Sequence, residues 1–218
     1  MEENAERATW PDSGDDVGTL SQKQDKLLIS IGFIGSLFYA MERFPVILLI
    51  VYWQGPISPV YYSIVYFADY LSVGAAIMIG LGLLTLAQTA QKNWATAVPI
   101  VMILLPITTV TLSRELMLLV GEIELYQLVS AVVVNSVWLI VAAVIWSLSP
   151  SLQDESRTKL TSLIVLLHVV GIPISTAVAI PFVGDISQIW IALLPAAVLA
   201  LIAGVALALF FKANLPKT

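Results

Sequence analysis

Six stretches of this chain are each long and apolar enough to cross a lipid bilayer, and that feature limits the fold more than any other. They run near residues 27–53, 59–88, 94–113, 124–149, 159–183 and 186–212. A span needs about 20 mainly apolar residues at about 1.5 Å each. Backbone in hydrocarbon has to satisfy its own hydrogen bonds, so each stretch is expected to be helical. The connectors "QGPIS", "TAQKN", "SPSLQDESRTK" and "VGD" are short, which makes successive helices antiparallel neighbours. The expected fold class is therefore all-α, a polytopic bundle of six transmembrane helices. The segment "ELMLLVGEIEL" is interrupted by Glu115, Glu122 and Glu124 and could instead lie along the membrane interface. Composition agrees with the spans: 59% of the 218 residues are hydrophobic and 11% charged, and the mean hydropathy is +0.93.

Charge is unevenly placed. The net charge is −5, yet seven of the fifteen acids (Glu2, Glu3, Glu6, Asp12, Asp15, Asp16 and Asp25) precede residue 27. The stretch "MEENAERATWPDSGDDVGTLSQKQDK" is polar and poor in apolar periodicity, so residues 1–26 read as an acidic, largely disordered tail. Residues 27–212 then form the membrane domain and 213–218 a second short tail. An acidic start and a long first apolar run do not fit a cleavable signal peptide, so the first helix is expected to serve as its own anchor. With both ends on one side, that side holds Arg7, Lys23, Lys26, Lys92, Arg157, Lys159, Lys212 and Lys217, and the other holds Arg114. The positive-inside rule then places both termini in the cytoplasm, in a multi-pass protein of the cell membrane. Trp53, Tyr61, Tyr62, Trp94, Trp146 and Trp190 fall at span ends and read as interface anchors.

Several chemistries are excluded. The chain has no cysteine and a single histidine, His168. Thiolate metal sites, disulfides, paired-histidine haem ligation and histidine-cluster zinc sites are therefore out. There is no HExxH, Gly-x-Ser-x-Gly, P-loop or aspartate-rich metal motif, and no basic face for nucleic acid. The expectation is a protein that is not an enzyme and carries no cofactor. Its partners would be the bilayer itself and a membrane protein or a second copy of the chain.

The polar residues at depth carry what remains. Glu42 and Arg43 interrupt the first span, where a mid-bilayer charge costs about 2.5 to 3.5 kcal/mol. Arg43 lies about ten residues, or ~15 Å, from the outer end of the first span. Asp69 in "VYFADYLS" lies at nearly the same depth on the second span, and Asn135 in "VVVNSVW" at the same layer of the fourth. Arg43 and Asp69 can therefore form a buried ion pair, with Glu42 as a third member or alternative partner. Such a layer serves either as glue that fixes helix register or as the lining of a ligand or ion cavity. His168 in "IVLLHVVGIPIS" sits roughly 14 Å from the inner end of the fifth span and reads by default as a neutral imidazole bonded to a neighbouring helix. Pro99, Pro106, Pro173 and Pro181 free backbone carbonyls in their spans, and the small residues of "GLGLL" and "AGVALAL" allow close helix approach.

The stretch "VYFADYLSVGAAIMIGLGLL" resembles the third helix of the microbial rhodopsins, the retinal-binding pumps and photosensors of archaea, whose pattern there is Arg-Tyr-x-Asp-Trp. In that resemblance Asp69 matches the counterion aspartate, Phe67 and Tyr70 match its aromatic neighbours, and Tyr66 stands where the family has arginine. "SRTKLTSLIVLLHVVGIP" is similar to the sixth helix through Ser156, Lys159 and Pro173, with Val169 and Ile172 in place of aromatic pocket residues. The last span, "LLPAAVLALIAGVALALFFK", matches the retinal helix, but the retinal lysine position falls at or near Ala203 and the aspartate one turn earlier near Leu199. The resemblance implies a rhodopsin-like bundle without its first helix, in which Arg43 takes over the neutralising role of the missing arginine. A Schiff base requires a lysine amine, and Lys212 lies too far along the helix to supply it. The function expected is that of a sensory, regulatory or ligand- and partner-binding scaffold. The alternative is an ion or proton transporter that uses the layer of Glu42, Arg43, Asp69, Asn135 and His168.

Overall fold

A computed structural model of the chain describes residues 14–52, 59–104, 123–179 and 186–216. Within those helices, the side chains of residues 14–20, 46, 49–52, 59–66, 68, 69, 123–135, 172, 176–179 and 186–193 lie outside the described ones. The described residues form helices α1 (Gly14–Tyr52), α2 (Pro59–Thr89), α3 (Asn93–Leu104), α4 (Ile123–Leu148), α5 (Glu155–Ala179) and α6 (Ile186–Ala213), with a 3₁₀ turn at Ser149–Ser151. The protein is all-helical across these residues. Four stretches are long and apolar enough to cross a membrane: Ser21–Pro45, Tyr70–Thr89, Glu155–Ser175 and Leu194–Ala213. The apolar helices Asn93–Leu104 and Ser136–Ser151 are shorter. The expected third span, 94–113, is described only as far as residue 104, and "ELMLLVGEIEL" lies mostly outside the described residues, as do the first thirteen residues of the acidic tail.

One boundary differs from expectation. Helix α1 begins at Gly14, so residues 14–26 of the tail read as disordered are helical. The reason is cooperativity: once a span has nucleated a helix, each added residue costs little. Asp15 and Asp16 sit at the start of α1, where negative charge favours the helix dipole.

The other described ends have evident local causes. Gln91 adopts φ 54° at the end of α2. Its N–H donates to the Gln88 carbonyl (3.0 Å) and the Lys92 N–H to the Ala87 carbonyl (3.1 Å), the pair of bonds that stops a helix in a Schellman turn. Asp154 Oδ1 accepts from the Arg157 N–H at 3.0 Å and caps α5, with Glu155 in its first turn. Asn214 Nδ2 donates to the Phe210 carbonyl and closes α6.

Packing follows the small residues. Gly32 of α1 and Gly82 of α2 meet backbone to backbone, and the ring of Phe211 from α6 lies against both. Farther along, Gly204 of α6 meets the backbone of Ala40 of α1, and Gly35 of α1 meets that of Ala75 and Ile79 of α2. Moving up α1 from Gly32 to Ala40 thus means moving back along α6 from Phe211 to Gly204. The two helices are antiparallel, and the start of α1 and the end of α6 share one end of the bundle. Ser162 of α5 donates to the Ala142 carbonyl of α4 at 2.7 Å, tying that antiparallel pair.

On α6 the buried positions are Ala197, Ala200, Ala203, Gly204, Ala206, Leu207 and Ala208, followed by Phe210 and Phe211, while Val198, Ile202, Val205 and Leu209 are exposed. Small residues mostly face in and branched apolar ones face out. On α1, Gly32, Gly35, Ser36 and Ala40 are buried beside the larger Ile29 and Tyr39, and Ile34, Phe38, Met41 and Phe44 are not buried.

A methyl added at Gly204 would sit 2.8 Å from the Ala40 nitrogen, whereas one at Gly74 has nothing within 4 Å. Gly204→Ala is therefore expected to destabilise the purified protein by about 1 to 3 kcal/mol. Gly74→Ala should be neutral or stabilising by about 0.5 to 1 kcal/mol. Unfolding by SDS titration in detergent measures both.

Candidate functional site

Tyr39, Glu42 and Arg43 stand at i, i+3 and i+4 on α1 and so share one face. Tyr39 and Glu42 are buried. Arg43 Nη2 lies 2.7 Å from Glu42 Oε1, with side chains 27% and 1% exposed, and the guanidinium carbon is 5.0 Å from the centre of the Tyr39 ring. A cation over an aromatic face out of bulk water contributes on the order of 1 to 2 kcal/mol. The charges that interrupt the first span thus compensate each other within one turn of one helix.

Two further helices complete the cluster. Trp138 of α4 lies against Tyr39, ring centres 4.3 Å apart and inclined at 42°. His168 of α5 meets both edge-on, at 6.1 Å from Tyr39 and 5.9 Å from Trp138. The Tyr39 hydroxyl and His168 Nε2 are 2.9 Å apart; the hydroxyl donates when Nε2 is bare and accepts when it carries the proton. His168 Nδ1 has no hydrogen-bond partner among the described residues. The imidazole is bonded to a neighbouring helix, which agrees with the simplest sequence reading of it.

Of the five residues marked in the sequence, Glu42 and Arg43 meet directly and His168 joins them through Tyr39. The side chains of Asp69 and Asn135 lie outside the described residues, so the expected Arg43–Asp69 ion pair falls there too. Backbone levels are described. Carrying the α1–α2 register from Gly32–Gly82 and Gly35–Ile79 up to Arg43 reaches residues 67–71 of α2. Asn135 lies one turn above Trp138 on α4.

Tyr39 and Trp138 were not singled out in the sequence. Aromatics near span ends are anchors by default, and Trp94 and Trp146 fit that reading, being exposed at the start of α3 and near the end of α4, with the Lys159 ammonium 5.7 Å from the Trp146 ring centre. Trp53, Tyr61, Tyr62 and Trp190 lie outside the described residues or side chains. The signal that distinguishes the other two is spacing: Tyr39 is one turn before Arg43 and Trp138 one turn after Asn135, both far from a helix end.

Chemically, the arrangement joins α1 to α5 through the Tyr39–His168 hydrogen bond, and α4 to both through the Trp138 ring. Among the described residues no group of three His, Cys, Asp or Glu side chains could hold a metal ion. Comparison with protein-family models, with curated proteins and with solved structures finds no match in any of the three.

Replacing Tyr39 by Phe removes the partner of a buried imidazole nitrogen and is expected to cost about 1 to 3 kcal/mol. The double variant Tyr39→Phe/His168→Leu should cost less than the sum of the two single changes, since no orphaned partner remains. A double-mutant cycle of SDS unfolding energies measures the difference.

Proposed function

We propose that the chain is a membrane protein of six spans, with both termini cytoplasmic, that works as a sensory, regulatory or partner-binding scaffold. The inverted packing of α6 supports membrane residence: Val198, Ile202, Val205 and Leu209 face outward while alanines face inward. In water, burial of apolar area would favour the larger side chains inside; in lipid that drive is absent and small residues let helices approach. Six spans require α3 and α4 to cross as well. The rhodopsin-like reading rests on the spacing around Asp69, Pro173 and Ala203. Ala203 is buried and offers no amine, so on this reading the bundle does not hold a covalent chromophore.

The observation that carries the scaffold reading is the local pairing of polar groups at depth. Arg43 is held by Glu42, His168 by Tyr39, and the hydroxyls of Thr85 and Thr89 donate to the carbonyls of Leu81 and Thr85 in their own helix. A transporter needs an ionisable relay that reaches both sides, and these hydroxyls are committed to backbone. The second reading, an ion or proton transporter built on the layer around Asp69, is favoured by the buried Nδ1 of His168, which has no hydrogen-bond partner among the described residues.

Liposomes containing the purified chain and a pH-sensitive dye separate the two readings. The scaffold is expected to give no flux above empty vesicles, and flux abolished by Asp69→Asn would establish the transporter. Orientation is tested by single cysteines in intact cells. A cysteine at Gly55 should react with an impermeant maleimide and one at Ser13 should not; equal reaction would overturn the cytoplasmic N terminus.

A further inference from the structure

The lysine-rich end of the bundle carries a feature that the buried cluster does not use. The end of the bundle at which Phe211 lies against Gly32 and Gly82, the junction of α1, α2 and α6, carries a lysine on α1, one in the turn after α2 and one in the last turn of α6. Lys26 sits one turn before buried Ile29 on the same face of α1, Lys92 lies in the turn after α2, and Lys212 follows Phe211 in the last turn of α6. None of these, nor Lys23, forms an ion pair among the described residues, whereas Arg157 and Lys159 at the start of α5 are matched by Asp154 and Glu155. Among the described side chains of these elements at this end, Asp25 is the one acid against four lysines, whereas the charges at the start of α5 balance. Asp15 and Asp16 lie about 15 Å farther along α1 than Lys26.

Two observations point to the shape of the ligand. Lys212 ends the outward stripe of α6, following exposed Val205 and Leu209 at helical spacing. A molecule seated there would meet apolar side chains along its length and a cation at its tip. Trp94, 56% exposed and two residues beyond Lys92, marks the level at which indoles settle between hydrocarbon and water. Lys212 is the deepest of the three, about one residue beyond Phe211, and its flexible stem is long enough to bring the ammonium outward to that level.

We propose that this junction is a binding site for an anionic phospholipid. The phosphate lies between Lys26, Lys92 and Lys212, and an acyl chain runs along Leu209 and Val205. This rests on the membrane reading above. Each lysine close to an anionic headgroup raises occupancy about fivefold.

The test uses the full chain reconstituted in nanodiscs of phosphatidylcholine with a minor fraction of phosphatidylglycerol, with retained lipids counted by native mass spectrometry. The wild type is expected to retain phosphatidylglycerol selectively. The triple variant K26Q/K92Q/K212Q should lose that selectivity by at least about tenfold, and K26R/K92R/K212R should keep it. Undiminished selectivity in the glutamine variant overturns the site, and so does loss of selectivity in the arginine variant, because then charge is not what holds the headgroup. Displacement of the lipid by millimolar inorganic phosphate would make this a site for free anions and overturn the lipid assignment. Release of the chain from native membranes by alkaline carbonate would overturn the membrane reading together with the site. Firm membrane retention without selectivity overturns the site alone.

Discussion

The contact of Phe211 with Gly32 and Gly82 is the constraint on which the rest of the bundle depends. On the membrane reading there is no water to expel between helices, so association rests on dispersion and on how closely backbones approach. Glycine at both positions lets α1 and α2 meet at their backbones, and the aromatic ring fills the wedge that remains. Those three helices then have fixed heights relative to one another. Gly204 against Ala40 repeats the contact a little over two turns away and fixes the angle between α1 and α6 as well as their spacing. With that geometry set, Tyr39 stands at the level where α5 brings His168.

Polar groups inside this bundle are arranged for specificity more than for strength. Serines and threonines on the helices return their hydrogens to carbonyls of the preceding turn, as Ser36 does to Gly32 and Thr161 to Arg157. Such bonds hold the hydroxyl without linking helices. Two long-range polar links join described helices: Ser162 to the Ala142 carbonyl and Tyr39 to His168. Each is available in one register, because sliding a helix by one residue rotates its partner by about 100°. A buried pair of this kind selects one packing among several of similar apolar contact.

Much of this was legible in the sequence, and the remainder was hidden for identifiable reasons. The helical class follows from span length, and the close approach of the "GLGLL" and "AGVALAL" segments follows from residue size; Gly82 and Gly204 make those contacts. The start of α1 at Gly14 was not legible, since a polar stretch has no periodicity to mark it and owes its helicity to the span beyond. Arg43 offered two acidic candidates at one depth. Helix arithmetic gives height and not the direction of a long side chain; the contact described is with Glu42, adjacent in sequence, and the Asp69 side chain lies outside the described ones. Tyr39 and Trp138 were obscured because most tyrosine and tryptophan in such proteins sits at the interface. Their position one turn from a charged or amide residue was the available clue.

The internal pairing of Glu42 with Arg43 also bears on how the chain is made. Tyr39 and His168 are 129 residues apart, so α1 leaves the ribosome long before α5 exists. At usual synthesis rates the interval is roughly 6 to 26 s. Throughout it, on the membrane reading, a helix with two charges near its middle waits in or beside the translocation machinery. Because Glu42 finds a counter-ion within the same turn, the newborn helix carries its two charges as an internally compensated pair before any later helix is translated. The polar pair that looks costly in the finished bundle thereby gives the first helix its own counter-charge while the later ones are still being made.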